Sequence, residues 1–476
     1  MDKETGAAHN VHGEQTTESV EIESIWGPRL GKLTVGLLLT IVAGAFEALA
    51  VATVMPETVD DLGGLHYYGW ILASFTLANM VGIVLAGTEI DRIGMVRPFM
   101  VGIVLFSVGL LIGGLAPSMP VLILGRVAQG FASGMLLSVA WTAVGKAYPP
   151  NARPRLMALT SSAWVIPGLV GPAVAGFVAE HIGWRWVFLG MIPFPLIAMA
   201  LTVPSLRAVD VVAGGARDLS RFRDALLLAA GTALLLGAFG RTEWWALLGL
   251  GAVGLLVLIP SFGRLTPPGT LRARRGVATA VASVILLTVA FFGFEFFIPL
   301  ALTDLRHQSP VMSGLPLTAS ALTWTAGAWI VDRASTRYAR SLLVRIGLAT
   351  IGIGILLTLA VCVTDMPVLL VLPAWAVTGL GMGLAFSTLM LVVLDAAPEG
   401  SEGATISAGQ LGNTLGVALG VGIGGSIVAV TSIDDVATAR GFVLVALGSV
   451  IVLGLAMTIA GRLTDARAVS SAESGV

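Results

Sequence analysis

Apolar runs of about twenty residues, the length that crosses a bilayer as helix, recur along the chain between short stretches of charge and turn residues. They fall at 33–56, 67–87, 97–116, 119–144, 156–180, 185–204, 224–241, 243–261, 277–301, 312–331, 341–363, 367–394, 403–430 and 438–461. The pattern predicts an all-α integral membrane protein with 14 transmembrane helices. The short pair at 224–261 reads as an extra transmembrane hairpin inserted between two sets of six. This divides the chain into a disordered tail over 1–32, a six-helix bundle over 33–204, linkers flanking the hairpin over 205–275, a second bundle over 276–461 and a tail over 462–476.

Charge orients this array. With both termini in the cytoplasm, the inner loops collect Lys32, Arg92, Arg97, Lys146, Arg153, Arg155, Arg207, Arg217, Arg221, Arg223, Arg264, Arg272, Arg274, Arg275, Arg333, Arg337 and Arg340, while the outer loops hold Arg185, Arg241, Arg306 and Arg440. The asymmetry follows the positive-inside rule. Removing the hairpin as a pair leaves the orientation unchanged, so charge alone does not decide between twelve spans and fourteen.

Composition agrees: 56% of the 476 residues are hydrophobic and 12% charged, where soluble domains carry about 25% charged residues. A net charge of -1 offers no field for nucleic acid. The single cysteine, Cys362, excludes an intramolecular disulfide and a cysteine metal cluster. His9 and His12 lie in the tail without further ligands nearby, and no metal or cofactor is expected. The tail lacks the basic start and apolar core of a signal peptide. His-Glu-x-x-His and the P-loop pattern are missing, so the chain reads as no enzyme. Gly-x-Gly-x-x-Gly occurs at Gly249–Gly254 and Gly420–Gly425, but inside long apolar runs without the strand and acid of a dinucleotide site.

The two halves echo each other. Each opens with a run carrying Phe-Glu, at Phe46-Glu47 and Phe294-Glu295, and each has Asp-Arg at the inner end of its second run, at Asp91-Arg92 and Asp332-Arg333. Inverted or parallel repeats of this sort place a binding site between the halves near the midplane.

"GTEIDRIGMVR" resembles the loop signature Gly-x-Leu-Ala-Asp-Arg-x-Gly-Arg-Arg/Lys of the major facilitator superfamily, matching at Gly87, Asp91, Arg92 and Gly94. Glu89 replaces a leucine, Met95 and Val96 replace basic residues, and Arg97 follows them. "LILGRVAQGFASG" resembles the fourth-helix signature through Arg126, Gln129 and Gly130. "PGLVGPAVAG" resembles the antiporter signature of the fifth helix at Gly171, Pro172 and Gly176, with Gly168 beside it and with Pro167 and Ala175 where the family has glycines. "FEALAVATVMP" resembles the first-helix pattern of an acid nine residues before a proline, with Glu47 for the commoner aspartate. Together these resemble the fourteen-helix drug:proton antiporter group. The resemblance implies multidrug efflux, a proton-relay role for Arg126, and a gate formed by Asp91, Arg92, Gly94 and Arg97.

The residues themselves carry a compatible chemistry. A charged side chain at mid-membrane costs about 2.5–3.5 kcal/mol on insertion scales, so Glu47 must face protein or water. Glu47 and Arg126 lie at similar depths by helical rise, so the pair is placed to meet and the guanidinium to gate protonation of the acid. A structural tie between two helices is the alternative. Glu295, nearer the outer surface, is a second candidate for proton coupling or a structural acid. Gly168, Gly171, Pro172 and Gly176 are expected to permit close helix approach, as are Gly412, Gly416, Gly420 and Gly424 on one face of the run at 403–430. Asn79, Gln129, Trp141, Trp164, Trp324, Gln410 and Asn413 are candidate cavity residues, with anchoring or packing as the alternative for each tryptophan.

The expected function is a monomeric secondary active transporter of a bacterial cytoplasmic membrane, one that uses protons to export a lipophilic drug-like compound by alternating access. A lipid or metabolite exporter, a proton symporter and a non-transporting membrane sensor are the alternatives. Protons, a lipophilic small molecule and membrane lipid are the expected partners.

Overall fold

A computed structural model describes residues 25–28, 30–63, 68–209, 218–239, 244–398, 400–432 and 438–463. The tail histidines, Arg217 and Arg241 lie outside them. The described residues form seventeen α-helices and no strand: α1 (Gly31–Leu62), α2 (Tyr68–Ile93), α3 (Val96–Gly114), α4 (Met119–Ala147), α5 (Arg153–Ser162), α6 (Val165–His181), α7 (Arg185–Leu189), α8 (Pro193–Leu206), α9 (Leu219–Phe239), α10 (Trp244–Leu265), α11 (Val277–Glu295), α12 (Ile298–Asp304), α13 (Pro310–Ala334), α14 (Arg340–Val363), α15 (Val371–Asp395), α16 (Glu402–Thr431) and α17 (Ala439–Ala460).

Three of the runs read as continuous are broken, and proline explains where. A proline ring clashes with the carbonyl four residues earlier. Pro167, Pro193 and Pro299 each stand four residues after a break or a helix end, at Ala163, Leu189 and Glu295. The runs 156–180, 185–204 and 277–301 are therefore the pairs α5/α6, α7/α8 and α11/α12. Pro172, Pro260 and Pro316 remain inside their helices, so the clash sets the break only where the turn is otherwise free to open.

Twelve helical segments among the described residues are long and apolar enough to cross a membrane. The helices α9 and α13 fall short. Arg221, Arg223 and Asp224 crowd the first turns of α9, and Ser313, Thr318, Ser320, Thr323 and Thr325 dilute α13.

Packing repeats between the halves. In the first, α2 and α3 pack on α4, and α1 packs on α6 and α8; in the second, α13 and α14 pack on α15, and α11 packs on α16 and α17. The cross-contacts repeat as well, with α2 against α16 and α13 against α5. The hairpin α9/α10 leans through α9 on α2 and α16, one helix from each half.

Lipid offers no hydrophobic drive between helices, so close backbone approach has to hold such seams. A Cβ at Gly130 would lie 2.1 Å from the Phe75 carbonyl oxygen, and one at Gly134 2.2 Å from that of Asn79, which fixes α4 on α2. In the second half Gly379 and Gly383 meet Ser320 and Trp324 in the same way, fixing α15 on α13. Gly416, Gly420 and Gly424 of α16 press on Thr288, Val289 and Gly293 of α11. Outward-facing apolar residues such as Leu124, Leu256 and Ile451 stay exposed, as a lipid-facing surface requires.

Candidate functional site

The first and last described residues, Ile25 and Leu463, the α2–α3, α4–α5, α13–α14 and α15–α16 turns, and the basic stretch before α11 share one end of the bundle, called here the terminal face. The site lies deeper. From α4, the Arg126 guanidinium donates through Nη1 to Glu47 Oε1 on α1 and to Gln129 Oε1 one turn along, the latter at 2.8 Å. Its carbon stands 4.4 Å from the centre of the Phe75 ring on α2, a cation–π arrangement. Glu47 is 1% exposed and Arg126 2%. The pair thus joins three helices of the first half in a water-poor setting, where each charge depends on the other.

The cluster is incompletely satisfied. Glu47 Oε2, Arg126 Nε and Gln129 Nε2 are buried without a partner. A buried acceptor without a donor is costly, and a proton is the smallest group that would relieve it. Gln129 is fully buried and occupied with Arg126, so it belongs to this cluster and does not line an open cavity.

Glu295 sits differently. It ends α11, half-buried, with no ion pair among the described residues. The buried Trp375 indole N–H lies beside its carboxyl without closing a hydrogen bond. Near it is an aromatic group of which the sequence singled out Trp324 alone. Phe292 is 6.4 Å from Trp324 and 6.2 Å from Phe296, and Trp324 is 5.7 Å from Phe386, ring centre to ring centre. The Phe-Glu echo therefore marks two sites of unlike chemistry, one charge-paired and one aromatic.

Of the remaining candidates, Asn79 links α2, α4 and α16. Its amide donates to Gly130 O at 3.4 Å, and its oxygen accepts from Thr414 Oγ1 at 3.4 Å. Asn413 is half-buried on the neighbouring turn of α16. Gln410 and Trp141 are buried with Gln410 Nε2 and Trp141 Nε1 unpartnered. Trp164, by contrast, stands 47% exposed at the α5/α6 break and joins none of these clusters.

The glycines of the antiporter-type helix are largely open in this structure. A Cβ at Gly168 or Gly176 would meet nothing within 4 Å, and one at Gly171 would make ordinary contacts at 3.8 Å with Phe46 and Leu49. Close approach at these glycines is therefore not seen. The buried face of α6 is Pro167, Gly171, Ala175 and Ala179, spaced by four and turned to α1. The two residues that depart from the motif, Pro167 and Ala175, are part of that face. Pro172 lies within the helix, half-buried.

On the terminal face Asp91 bridges the halves. Its two carboxylate oxygens accept the backbone N–H groups of Gly403 and Ala404 at 2.8 and 2.9 Å, where the positive end of the α16 dipole favours an anion. Arg92 turns to Glu89 Oε2 at 3.0 and 2.5 Å, so the residue that departs from the loop signature supplies its partner. Gly94 closes α2 with φ 82°, a left-handed value that glycine adopts without cost. Arg97 is exposed in the first turn of α3.

Further ties surround Asp91. Lys146 Nζ is 3.0 Å from Glu402 Oε1. Asp395 at the end of α15 receives Arg153 from the first half on one oxygen and Arg340 from its own half on the other. Ser138 and Ser407 share a hydrogen bond at 3.0 Å. Asp332 and Arg333 do not repeat the Asp91 contact; α13 instead reaches α5 through Thr325 Oγ1 to Ser161 O at 3.3 Å and Trp329 Nε1 to Ser162 Oγ at 3.1 Å.

Two repeated helical bundles with a buried acid–arginine pair and a polar clasp at one end define a multi-pass membrane transporter, not an enzyme. A family model for the Major Facilitator Superfamily matches residues 36–421, and a second match covers 280–473; the chain belongs to that superfamily. It is 26% identical over 463 residues to a probable multidrug-efflux transporter of Mycobacterium tuberculosis, across 89% of this chain and 94% of the relative. It is 27% identical to multidrug resistance protein 3 of Bacillus subtilis, across 83% of this chain and 79% of that one. Among solved structures, a human organic anion transporter shares the fold with a TM-score of 0.70 at 13% identity, over 91% of this chain and all of that one. A proton:xylose symporter does so at 0.64 and 14%, over 89% and 94%.

Proposed function

We propose that the protein is a proton-coupled antiporter that exports a lipophilic, drug-like compound by alternating access of its two bundles. The observation that carries this reading is the buried Glu47–Arg126 pair with Glu47 Oε2 left unpartnered. Protonating Glu47 would release the arginine, and losing the proton would recapture it. Coupling follows if Arg126 is drawn to Glu47 only in one state of the cycle. The multidrug-efflux names of its relatives support the substrate class, as does the aromatic group around Glu295, which suits a flat apolar molecule and, with the acid, a cationic one.

The conformer supports the cycle. The clasp of Asp91, Arg153, Lys146 and Ser138 holds the terminal side shut, while Gly168, Gly176 and Gly314 face open space. We read the terminal face as cytoplasmic, from the arginines gathered there, and the conformer as open to the outside. On this reading the glycines of α6 are free here because they pack in the opposite state. We also count α9 and α13 as spans, with Asp224, Thr232, Ser313 and Ser320 buried against protein, which gives fourteen, and take the unit as a monomer in a bacterial cytoplasmic membrane with both termini inside.

The test is reconstitution of the full chain into liposomes with an imposed pH gradient and a fluorescent lipophilic cation. Accumulation should follow the gradient, vanish when it is collapsed and be lost in Glu47→Gln. Transport indifferent to both changes would sink coupling through Glu47. No movement of any lipophilic compound would favour the sensor.

A further inference from the structure

The basic stretch between α10 and α11 lies on the terminal face, apart from the buried Glu47–Arg126 cluster. It runs from the end of one span, at Leu265, to the start of the next, at Val277, so it lies at the boundary between water and headgroups.

The loop is firmly built. Thr270–Arg272 make a 3-10 turn between two left-handed residues, Gly269 at φ 91° and Ala273 at φ 45°, and Gly276 follows at φ 92°. A left-handed alanine is unfavourable and persists only where its surroundings fix it. Here they do. The Thr279 hydroxyl donates to the carbonyls of Ala273 and Arg274 at 3.0 and 2.6 Å. Arg462 donates to those of Arg272 and Ala273 at 3.3 and 3.2 Å.

The carbonyls of Arg272, Ala273 and Arg274 are thus occupied while the loop's cations are not. Arg272, Arg274 and Arg275 are exposed and form no ion pair among the described residues. The nearby Asp224 is already shared by Arg223 and Arg264 at 3.2 and 3.4 Å. Arg272 and Arg274 line a cavity of about 250 Å³ together with Gly263, Gly269, Thr270 and Leu271. A Cβ at Gly269 would fall 2.4 Å from Arg274 Cδ, so glycine there lets the arginine lie along the loop. Leu271 is 58% exposed at the same cavity.

Two guanidinium groups without a protein anion, in a fixed cavity at headgroup depth with an apolar flank, match a phosphodiester that continues into acyl chains. We propose that this pocket binds the headgroup of an anionic phospholipid, with Arg272 and Arg274 on the phosphate oxygens and Leu271 against the glycerol and upper chain. A bound lipid would join the α9/α10 hairpin to the second bundle. The proposal does not depend on proton coupling or on the exported compound.

The test uses the full chain in a neutral detergent, with lipid binding read by native mass spectrometry. Phosphatidylglycerol should bind and phosphatidylcholine should not. R272Q/R274Q should weaken phosphatidylglycerol about thirtyfold, near the combined effect of two basic residues at an anionic membrane surface. R272K/R274K should keep most of the binding, and R337Q, an exposed arginine on the same face outside the pocket, should change nothing. If R272Q/R274Q does not fold, R272Q alone carries the comparison. Equal binding of both lipids, or an R272Q/R274Q affinity matching that of R337Q, would overturn the proposal. Complete displacement of phosphatidylglycerol by inorganic phosphate would assign the pocket to free phosphate instead and overturn it too.

Discussion

Arg126 holds one oxygen of Glu47 deep between α4 and α1 and leaves the other oxygen buried and bare. Removing one member of a buried pair strands the other charge, at a cost of about 3–5 kcal/mol in soluble proteins, whereas replacing both is often neutral. Glu47→Gln and Arg126→Gln should therefore each lower the thermal midpoint of the detergent-solubilised protein, and the double variant should recover most of the loss. Additive losses would show that the two side chains act separately.

The polar clasp predicts a different readout. Asp395 binds an arginine from each half, and Asp91 binds the first amides of α16. Ser407 lies beneath them, 3% exposed and packed on Gly87 and Ser138. In a Cys362→Ala background, Ser407→Cys should react slowly with a polar alkylating reagent. Adding Asp395→Asn or Asp91→Asn should speed the reaction about tenfold for each ~1.4 kcal/mol removed from the closed state. An unchanged rate would mean the clasp does not hold the halves.

Much of this was legible in the sequence because helices are local. The apolar runs gave twelve of the fourteen expected spans, and helical rise alone brought Glu47 and Arg126 to one depth. Asp91 and Gly94 stood out by their spacing. What escaped is set by tertiary geometry. Asp395 meets Arg153 across 242 positions, and nothing near either residue announces the other. The register of α6 escaped for another reason: the motif drew attention to its glycines, but the face turned to α1 is set by how the helix enters after the break before Pro167. Glu295 looked like a copy of Glu47 because the repeat preserves position along the helix and not the partner on the next one.

The glycine seams give a paired prediction. Gly130→Ala would set a Cβ 2.1 Å from a backbone oxygen of α2, and backbone does not swing aside. Overpacking of this kind costs about 1–3 kcal/mol. Gly176→Ala meets nothing within 4 Å and gains helix propensity of about 1 kcal/mol. The first variant should lower the thermal midpoint and the second leave it level or raise it. If Gly176→Ala keeps stability yet slows transport, the α6 glycines serve the opposite conformer; if it slows nothing, the reading of α6 as a closing face fails.

The Asp61–Arg185 contact supplies the pH prediction. Asp61 lies past the α1 span and accepts from Arg185 Nη1 at 2.6 Å and from Trp184 Nε1 at 3.1 Å. The Arg185 hydrogen bond, then that of Trp184, holds its carboxyl below the usual carboxylate range. A depressed folded value means that the carboxylate's contribution is fully present above the ordinary aspartate value, about 3.9, and is lost as pH falls through the lowered one. Asp61→Asn should therefore show a small destabilisation that is constant from pH 5 to 8 and disappears only in stronger acid, where the parent loses the contact too. Both residues belong to the first bundle, so the contact does not change as the halves rock and transport should be unaffected at every pH. Thermal midpoints of parent and variant across pH check the first point, and gradient-driven uptake checks the second. A difference that fades near neutral pH would show that Asp61 is not held in its charged form by Arg185.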